Sequence, residues 1–550
     1  MLPHFKLLPI HKVAGYEFHF ALLAARRIQD PQVKPVRLLD GRQQFTAQSL
    51  RTGIRMMGIN EVIDLPVSLS GITRTYQLLR GIRYTRRIVR GLATLRIAPL
   101  PAAGIWARSD AVSLDAPSKS ISCLSLSNLC RRSELRMMTP LRYCLLLIMP
   151  FAMLRGENWM EWRGNDGNGI VRPGEYPTSW SATENILWTA ELPAPGNSSP
   201  IVHGDRVFVT CANDDGTERG LYCFDRKTGK TLWSHSLPYN THDPTHPTNP
   251  WCAPSPATDG ESVFVWNGSA GAAAYDFNGN LLWQRDLGEF AHQWGHASSP
   301  RLFEDTVIVF GSPGPRVILT ALNKRTGETV WQREFSDIAS PPDELHGSFA
   351  TPLIWNNGPR TELLLPLPGF LASFDPESGN ELWRCRGLGA LTYTDPIVSS
   401  GLILAFSGFK GPAMGMRQPG ADETGDLTES HRIWLNETVE QRVGSGVIVD
   451  GRYYLAGRKG PLKCGDIRTG EIIWTYDLGE QCWSSVSYSQ GLLYLTDQAS
   501  VTRIFKPGDS YQEIASNEMN PKERGNSTIA FDNGQLFLRT NKALYAIEDR

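Results

Sequence analysis

The stretch Leu221-Tyr222-Cys223-Phe224-Asp225-Arg226-Lys227-Thr228-Gly229-Lys230-Thr231-Leu232-Trp233 decides the fold. Alternating Leu221, Cys223 and Asp225 predict a strand. Lys227 to Lys230 form a tight turn in which Gly229 takes a positive φ without steric cost. Thr231, Leu232 and Trp233 start the return strand. The same pattern recurs at Leu319 to Trp331, Leu371 to Trp383 and Leu462 to Trp474, and a shorter copy from Ala274 to Trp283 turns at Asn278-Gly279. A hairpin returning every ~40–50 residues is the signature of a β-propeller blade.

A second element precedes each hairpin, a short strand entered through Ser/Thr-Pro or a degenerate form of it. Its copies are Ser199-Pro200, Ser255-Pro256, Ser299-Pro300, Thr351-Pro352, Asp395-Pro396, Ser445-Gly446, Ser485-Val486 and Ser527-Thr528. Each leads through a turn to an alternating strand, such as Arg206 to Thr210, Ser262 to Trp266 or Gln535 to Arg539. Four short strands, repeated eight times, predict an all-β fold: an eight-bladed β-propeller of four-stranded antiparallel blades over residues 185–550. The final strand, Ala543 to Ile547, lacks an outer neighbour, and Asn185 to Leu192 lacks a blade before it. Pairing the two closes the ring and removes its free edges. Residues 157–184 form an irregular lead-in.

Trp188, Trp233, Trp283, Trp331, Trp383, Trp434 and Trp474 all fall at the outer-strand position. A tryptophan buries roughly 150–250 Å², enough to key one blade to the next. The turn glycines Gly229, Gly327, Gly379 and Gly470 allow that ring a close approach. These residues read as architecture.

A net charge of −1 hides two halves. Residues 1–136 carry 21 Lys+Arg against 8 Asp+Glu, and the remainder carries 34 against 48. The acidic part argues against nucleic-acid binding, which needs a basic face. Met137 and Met138 precede Arg142, an apolar run from Tyr143 to Leu154, and Arg155-Gly156-Glu157. This is the layout of a secretory signal peptide, and the run is shorter than the ~20 residues a membrane span needs. The expectation is translation from Met137 or Met138, a signal peptide over 137–156, a periplasmic or secreted product, and an unstructured or non-natural extension over 1–136.

The part after the signal holds Cys211, Cys223, Cys252, Cys385, Cys464 and Cys482. Cys211 and Cys223 lie symmetrically about a predicted turn near Asp215 to Thr217. They read either as a cross-strand disulfide or as two small buried hydrophobes. No C-x-x-C spacing indicates zinc or thiol redox chemistry.

The hairpin pattern resembles the pyrroloquinoline quinone (PQQ)-type repeat, with its Ala/Leu-x-Asp-x-x-Thr-Gly-x-x-x-Trp core, over residues 185–549. Propeller quinoprotein dehydrogenases and a non-enzymatic outer-membrane assembly lipoprotein share that repeat. Closer still is the resemblance to a secreted planctomycete family of such propellers. It rests on Asn158 to Gly164 (Asn-Trp-Met-Glu-Trp-Arg-Gly), Asn249 to Pro256, Gly268 to Gly271, Gly425 to Thr428 and Ser430 to Trp434. The repeat implies a fold and does not imply the cofactor.

Quinone chemistry needs a divalent cation, a carboxylate base and flat groups around the ring. The vicinal disulfide of the alcohol dehydrogenases is missing, because no Cys-Cys occurs, and their cation ligands have no counterpart by motif. His292 and His296 are four apart but fall in a predicted loop, so helical zinc spacing does not apply. His242 and His246 flank Pro244 in another loop. Blade five carries an insertion, Gly411 to Ser430, read as a long polar hairpin without calcium-loop spacing. Hydrolase, metalloprotease, P-loop and kinase signatures are absent from the sequence.

The loops entering the inner strands point to the centre of the ring. They place Trp251, Trp294, His296, His346, Tyr393, Arg442, Trp483 and Arg524 around a ligand funnel. The expected function is an extracytoplasmic, non-catalytic binding or scaffolding propeller. It would be monomeric, without cofactor, metal or transmembrane span, and would take a protein, peptide or glycan at the funnel. One alternative is a PQQ- and calcium-dependent dehydrogenase of alcohols or sugars. Another is a subunit of an envelope protein-assembly complex.

Overall fold

The Asp-x-x-Thr-Gly turn is held by its own side chains. Asp225 Oδ1 accepts hydrogen bonds from the backbone N–H groups of Lys227 and Thr228 (3.1 and 2.9 Å) and from the Thr228 hydroxyl (2.7 Å). Such an Asx turn ends strand pairing locally and reverses the chain. Gly229 follows at φ 71°. Asp466 repeats the two backbone bonds at Arg468 and Thr469 (2.7 and 2.9 Å), and Asn323 substitutes for the aspartate at Arg325 and Thr326 (3.0 and 3.1 Å).

The structure, a computed structural model, describes residues 158–171, 174–241, 243–358, 360–519 and 523–550. The extension over 1–136, the signal peptide over 137–156 and His242 lie outside the described residues. Eight four-stranded antiparallel blades stand in a ring. Blade 1 comprises Ile201–His203, Arg206–Ala212, Glu218–Asp225 and Thr231–Pro238 from the axis outward. Blades 2 to 7 span residues 257–285, 301–334, 353–386, 397–440, 447–477 and 487–518. Blade 8 takes Ala530–Asp532, Gln535–Arg539 and Ala543–Ile547 from the end of the chain. Its outer strand is Ile186–Glu191, with Trp188 opposite Ala546. The ring is thus closed by antiparallel pairing of both ends of the propeller sequence. Among the described residues no helix is long and apolar enough to cross a membrane.

The apolar core lies in the seams between blades. Ile308, Phe310 and Leu319 of blade 3 pack on Leu363, Leu365 and Phe374 of blade 4, and the other neighbours meet likewise. The outer rim adds a repeated lock. Trp188, Trp233, Trp283, Trp331, Trp434 and Trp474 each donate their indole N–H to a backbone carbonyl of the following blade, at 2.6 to 3.0 Å. A Cβ on Gly229, Gly327, Gly379 or Gly470 would come within 2.5 to 2.7 Å of the preceding blade's tryptophan.

The inner rim carries a second lock. Ser199 N–H donates to Ser255 Oγ (2.8 Å), Ser255 to Ser299 (3.0 Å), Ser299 to Thr351 (3.0 Å) and Thr351 to Asp395 Oδ1 (2.8 Å). Asp395 N–H donates to Ser445 (2.9 Å), Ser445 to Ser485 (2.9 Å), Ser485 to Thr528 (2.9 Å) and Thr528 back to Ser199 (2.8 Å). This circuit joins all eight inner strands through one side-chain acceptor each. It corrects the repeat register in blade 8, where Thr528 rather than Ser527 holds the ring position. The Ser527 hydroxyl instead donates to Arg539 O (2.7 Å).

Two further expectations are corrected. Gly411–Arg417 is a regular strand of blade 5, so the insertion begins at Gln418. It is not a hairpin: Gly425–Asp426 adds a parallel fifth strand to blade 4, and a short helix, Thr428–His431, returns the chain. The cysteine pair is also excluded. Cys211 pairs with Gly220 and Cys223 with Phe208 in the blade-1 register. The two thiols therefore face different seams, Cys211 with blade 8 and Cys223 with blade 2, and both are free and buried.

Candidate functional site

The lead-in positions the floor of the central channel. Its Trp159 carbonyl accepts from Val202 N–H of blade 1 (2.7 Å) and its Met160 carbonyl from Thr258 N–H of blade 2 (2.9 Å). Glu161 pairs with Arg301 of blade 3 at 2.7 Å. Val171 N–H donates to Tyr488 O of blade 7 (2.8 Å). Between these anchors, the Trp162 indole N–H donates to Asp395 Oδ2 (2.7 Å), and Arg163 stands 3.8 Å from the same oxygen. Arg163 also donates to the carbonyls of Asn168 (2.9 Å) and Gly446.

Asp395 is therefore a carboxylate in a ring otherwise made of hydroxyls. Both of its oxygens accept hydrogen bonds, and Arg163 supplies a nearby positive charge. Burial nonetheless pushes its pKa above the ordinary value, with Arg163 and the donors working against that. Burial likewise draws Arg163 down to about 10. This is the behaviour of an ion pair taken out of water.

Above this floor lies a cavity of about 240 Å³. One wall is aromatic: Trp294 meets Phe409 edge-on at 5.3 Å and Tyr393 at 6.3 Å, and Tyr393 meets Phe349 at 5.1 Å. Trp483 continues the wall beside Arg458. The other wall is a relay of amides. Gln498 donates to Asn526 Oδ1 (2.7 Å), Asn526 to Asn197 Oδ1 (2.9 Å), Asn197 to Asn249 Oδ1 (3.1 Å) and Asn249 to the Trp294 carbonyl (2.8 Å). His246 and Thr248 border the cavity beside the amides, 2.7 Å apart through Nδ1 and Oγ1.

Of the residues expected at the funnel, Trp294, Tyr393 and Trp483 line this cavity, and the other five do not. Trp251 lies over the Gly216 turn, where a Cβ would come within 2.4 Å of its ring. His296 is buried behind the wall, 6.1 Å from the Trp266 ring, and burial followed by the Arg219 charge lowers its pKa to about 3. His346 Nδ1 is 3.2 Å from Ile338 O. Arg442 turns into the blade, toward the carbonyls of Ser407 and Gly411 and the Glu440 carboxylate. Arg524 is exposed on an ion pair with Glu480 at 3.4 Å.

Sequence reasoning missed Trp162, Asp395, Phe349, Phe409, Arg458 and the three asparagines. One signal was available: Asp395-Pro396 breaks a series that otherwise reads Ser or Thr in its first five members. Trp162 lies outside the repeat, and asparagines in loops look like turn residues.

The aromatic wall suits a flat ring, but the donor set does not suit a calcium-bound quinone. Calcium takes six to eight oxygens. Among the described residues no three His, Cys, Asp or Glu side chains converge to hold a cation. The one carboxylate on the cavity lining already accepts from Trp162 and Thr351 beside Arg163, which repels a second cation.

A quinoprotein ethanol dehydrogenase of Pseudomonas putida is 26% identical over 212 residues, 33% of this chain and 32% of that enzyme. A polyvinylalcohol dehydrogenase of a Pseudomonas species is 24% identical over 207 residues, 34% of this chain and 31% of that enzyme. The chain thus spans about a third of the length of these curated relatives. The solved quinohemoprotein alcohol dehydrogenase ADHIIG of Pseudomonas putida HK5 superposes with a TM-score of 0.50 at 10% identity, covering 71% of this chain and 80% of that one. This is a likeness of fold. Two overlapping stretches, residues 178–403 and 369–548, match the family described as outer membrane protein assembly factor BamB. With eight blades built on its repeat, the chain belongs to that family of PQQ-repeat β-propellers.

Proposed function

We propose that this chain is an extracytoplasmic, non-catalytic binding propeller that takes its ligand in the central cavity. The observation that carries this reading is the state of Asp395. Among the described residues it is the single carboxylate on the cavity lining, and each of its oxygens accepts an N–H bond. A general base is free to move toward and orient on substrate, whereas one lone pair on each Asp395 oxygen ties this carboxylate to the floor and to the ring. The signal-like layout from Met137 to Gly156 supports export, and the aromatic wall supports a binding role.

Calorimetric titration of the full chain with pyrroloquinoline quinone plus calcium tests the reading. The expected outcome is no stoichiometric binding and no dye reduction with alcohols or aldoses. Tight one-to-one binding with turnover would overturn it in favour of a quinone-dependent dehydrogenase. Mass spectrometry of the N-terminus from the native host tests export: a mature chain starting near Glu157 is expected.

A further inference from the structure

The two walls of the cavity differ in a way that selects a chemical class. Resting on the binding role argued above, we propose that the cavity recognises a neutral hexopyranose, stacked on the aromatic wall with its hydroxyls on the amides and the ring hydroxyls.

The polar groups carry unused capacity of both kinds. An amide oxygen offers two lone pairs and an amide nitrogen two protons. Asn197 Oδ1 and Asn249 Oδ1 each accept one bond within the relay, which leaves each a lone pair. Asn526 donates once and accepts once, which leaves it one proton and one lone pair. At the floor, Ser299, Thr351 and Ser445 each accept an N–H in the ring. Among the described residues their own hydroxyl protons have no acceptor. The Trp483 ring lines the aromatic side, while its indole N–H is buried away from the cavity.

Acceptors and donors thus face one space. An anion would use only the donors and would meet Asp395 and the amide lone pairs. A cation would use only the acceptors and would meet Arg458, with Arg163 behind the floor. A purely aromatic ligand would fill the Trp294–Tyr393 wall and leave the polar groups unpaired, which costs binding free energy. A sugar hydroxyl donates and accepts at once, and a pyranose face of C–H groups stacks on an aromatic ring. The cavity, about 240 Å³, has room for a six-membered polyol ring. The ligand is either a free sugar or the terminal unit of a glycan.

The test is titration of the full chain with methyl hexopyranosides, followed by calorimetry and tryptophan fluorescence. Glucuronate and glucosamine serve as charged counterparts, and an oligosaccharide array presents terminal units. The expected result is one-to-one binding of at least one neutral hexopyranose, with both charged counterparts at least about tenfold weaker. Binding of the simple glycoside identifies a free sugar; binding only on the array identifies a glycan terminus. Trp294→Ala should weaken binding by about tenfold or more. The variant should unfold cooperatively like the parent. Absence of any neutral-sugar binding, equal binding of the charged forms, or an unchanged affinity in Trp294→Ala would overturn the proposal. Such a failure leaves the binding role standing, because that role falls only if quinone and calcium bind with turnover.

Discussion

The outer and inner rims of this propeller lock the same blades by different means. On the outer rim, the tryptophan of one blade sits on the turn glycine of the next and donates to its backbone. On the inner rim, a backbone N–H of one blade meets a side-chain oxygen of the next. The inner rim has one exception and the outer rim two: the blade-7 outer strand, Gln512–Glu518, carries no tryptophan, and the other falls with the inner exception between blades 4 and 5. Trp383 donates within its own blade, to Glu362 Oε2 at 2.7 Å, because the insertion after Arg417 takes up that outer edge. Asp395 replaces a hydroxyl in the ring. The outer lock needs a particular shape and accepts no substitute, so the chain departs from it altogether where the insertion lies. The inner lock needs only an oxygen acceptor, so a carboxylate enters with the circuit intact. Chemistry can therefore vary on the inner rim, and that is where the cavity is.

The sharpest way to break this comparison is Trp283→Ala. The side chain is buried in the seam between blades 2 and 3, and its N–H holds Lys324 O at 2.7 Å. Loss of that volume and bond should cost about 3–5 kcal/mol, read as a lower urea midpoint. A cost below about 1 kcal/mol would mean that neither the ring's packing nor its bond locks the outer rim.

Asp395→Asn comes next. Asparagine has one oxygen where the carboxylate offers two, so its NH₂ must face either the Trp162 or the Thr351 N–H. The N–H left facing that NH₂ is unpaired, which costs about 1–3 kcal/mol. The pH dependence sharpens the point. The folded carboxyl takes up a proton more readily than the unfolded one, because burial raises its pKa. Its contribution to stability therefore declines as pH rises from the ordinary 3.8 through the raised value, and the asparagine variant lacks that decline. Urea midpoints of both proteins between pH 4 and neutrality check the sign.

The outer rim was legible in the sequence because its motif is contiguous. Asp225, Thr228, Gly229 and Trp233 stand in one hairpin, and period-2 strands flank it. The ring position was legible too, but only as a Ser/Thr-Pro signal. Its register slipped by one residue in blade 8, where two hydroxyls, Ser527 and Thr528, adjoin and no proline marks the place. The cavity was less legible for a physical reason. Its walls come from loops whose side-chain directions follow no period, so Arg442 and His296 could be placed near the axis but not aimed. Arg442 found backbone carbonyls inside its blade, and His296 found a buried place beside Trp266 and the Arg219 charge. Trp162 arrives from outside the repeat and could not be inferred from it. Cys211 and Cys223 misled because symmetry about a turn sets register only when the turn centre is known. The observed register is three residues away from pairing them.

The finest distinction between the rims lies in the hydroxyls. Thr351→Val keeps the shape and removes the acceptor of Ser299 N–H. A buried donor left without a partner costs about 1–3 kcal/mol, but Thr351 lines the cavity, where water can reach the orphaned group. The expected cost is therefore at the low end, about 1 kcal/mol. Thr351→Ser, which restores the oxygen, should be close to neutral. The same Thr→Val change at Thr528, a ring position off the cavity, has no such relief and should cost about 2 kcal/mol. If both valine variants lose the same stability, cavity water does not reach the ring. The hydroxyls of Ser299, Thr351 and Ser445 would then serve the fold alone. If Thr351→Val is the milder of the two, the inner rim is wetted on the cavity side, and its hydroxyl protons are available to a ligand.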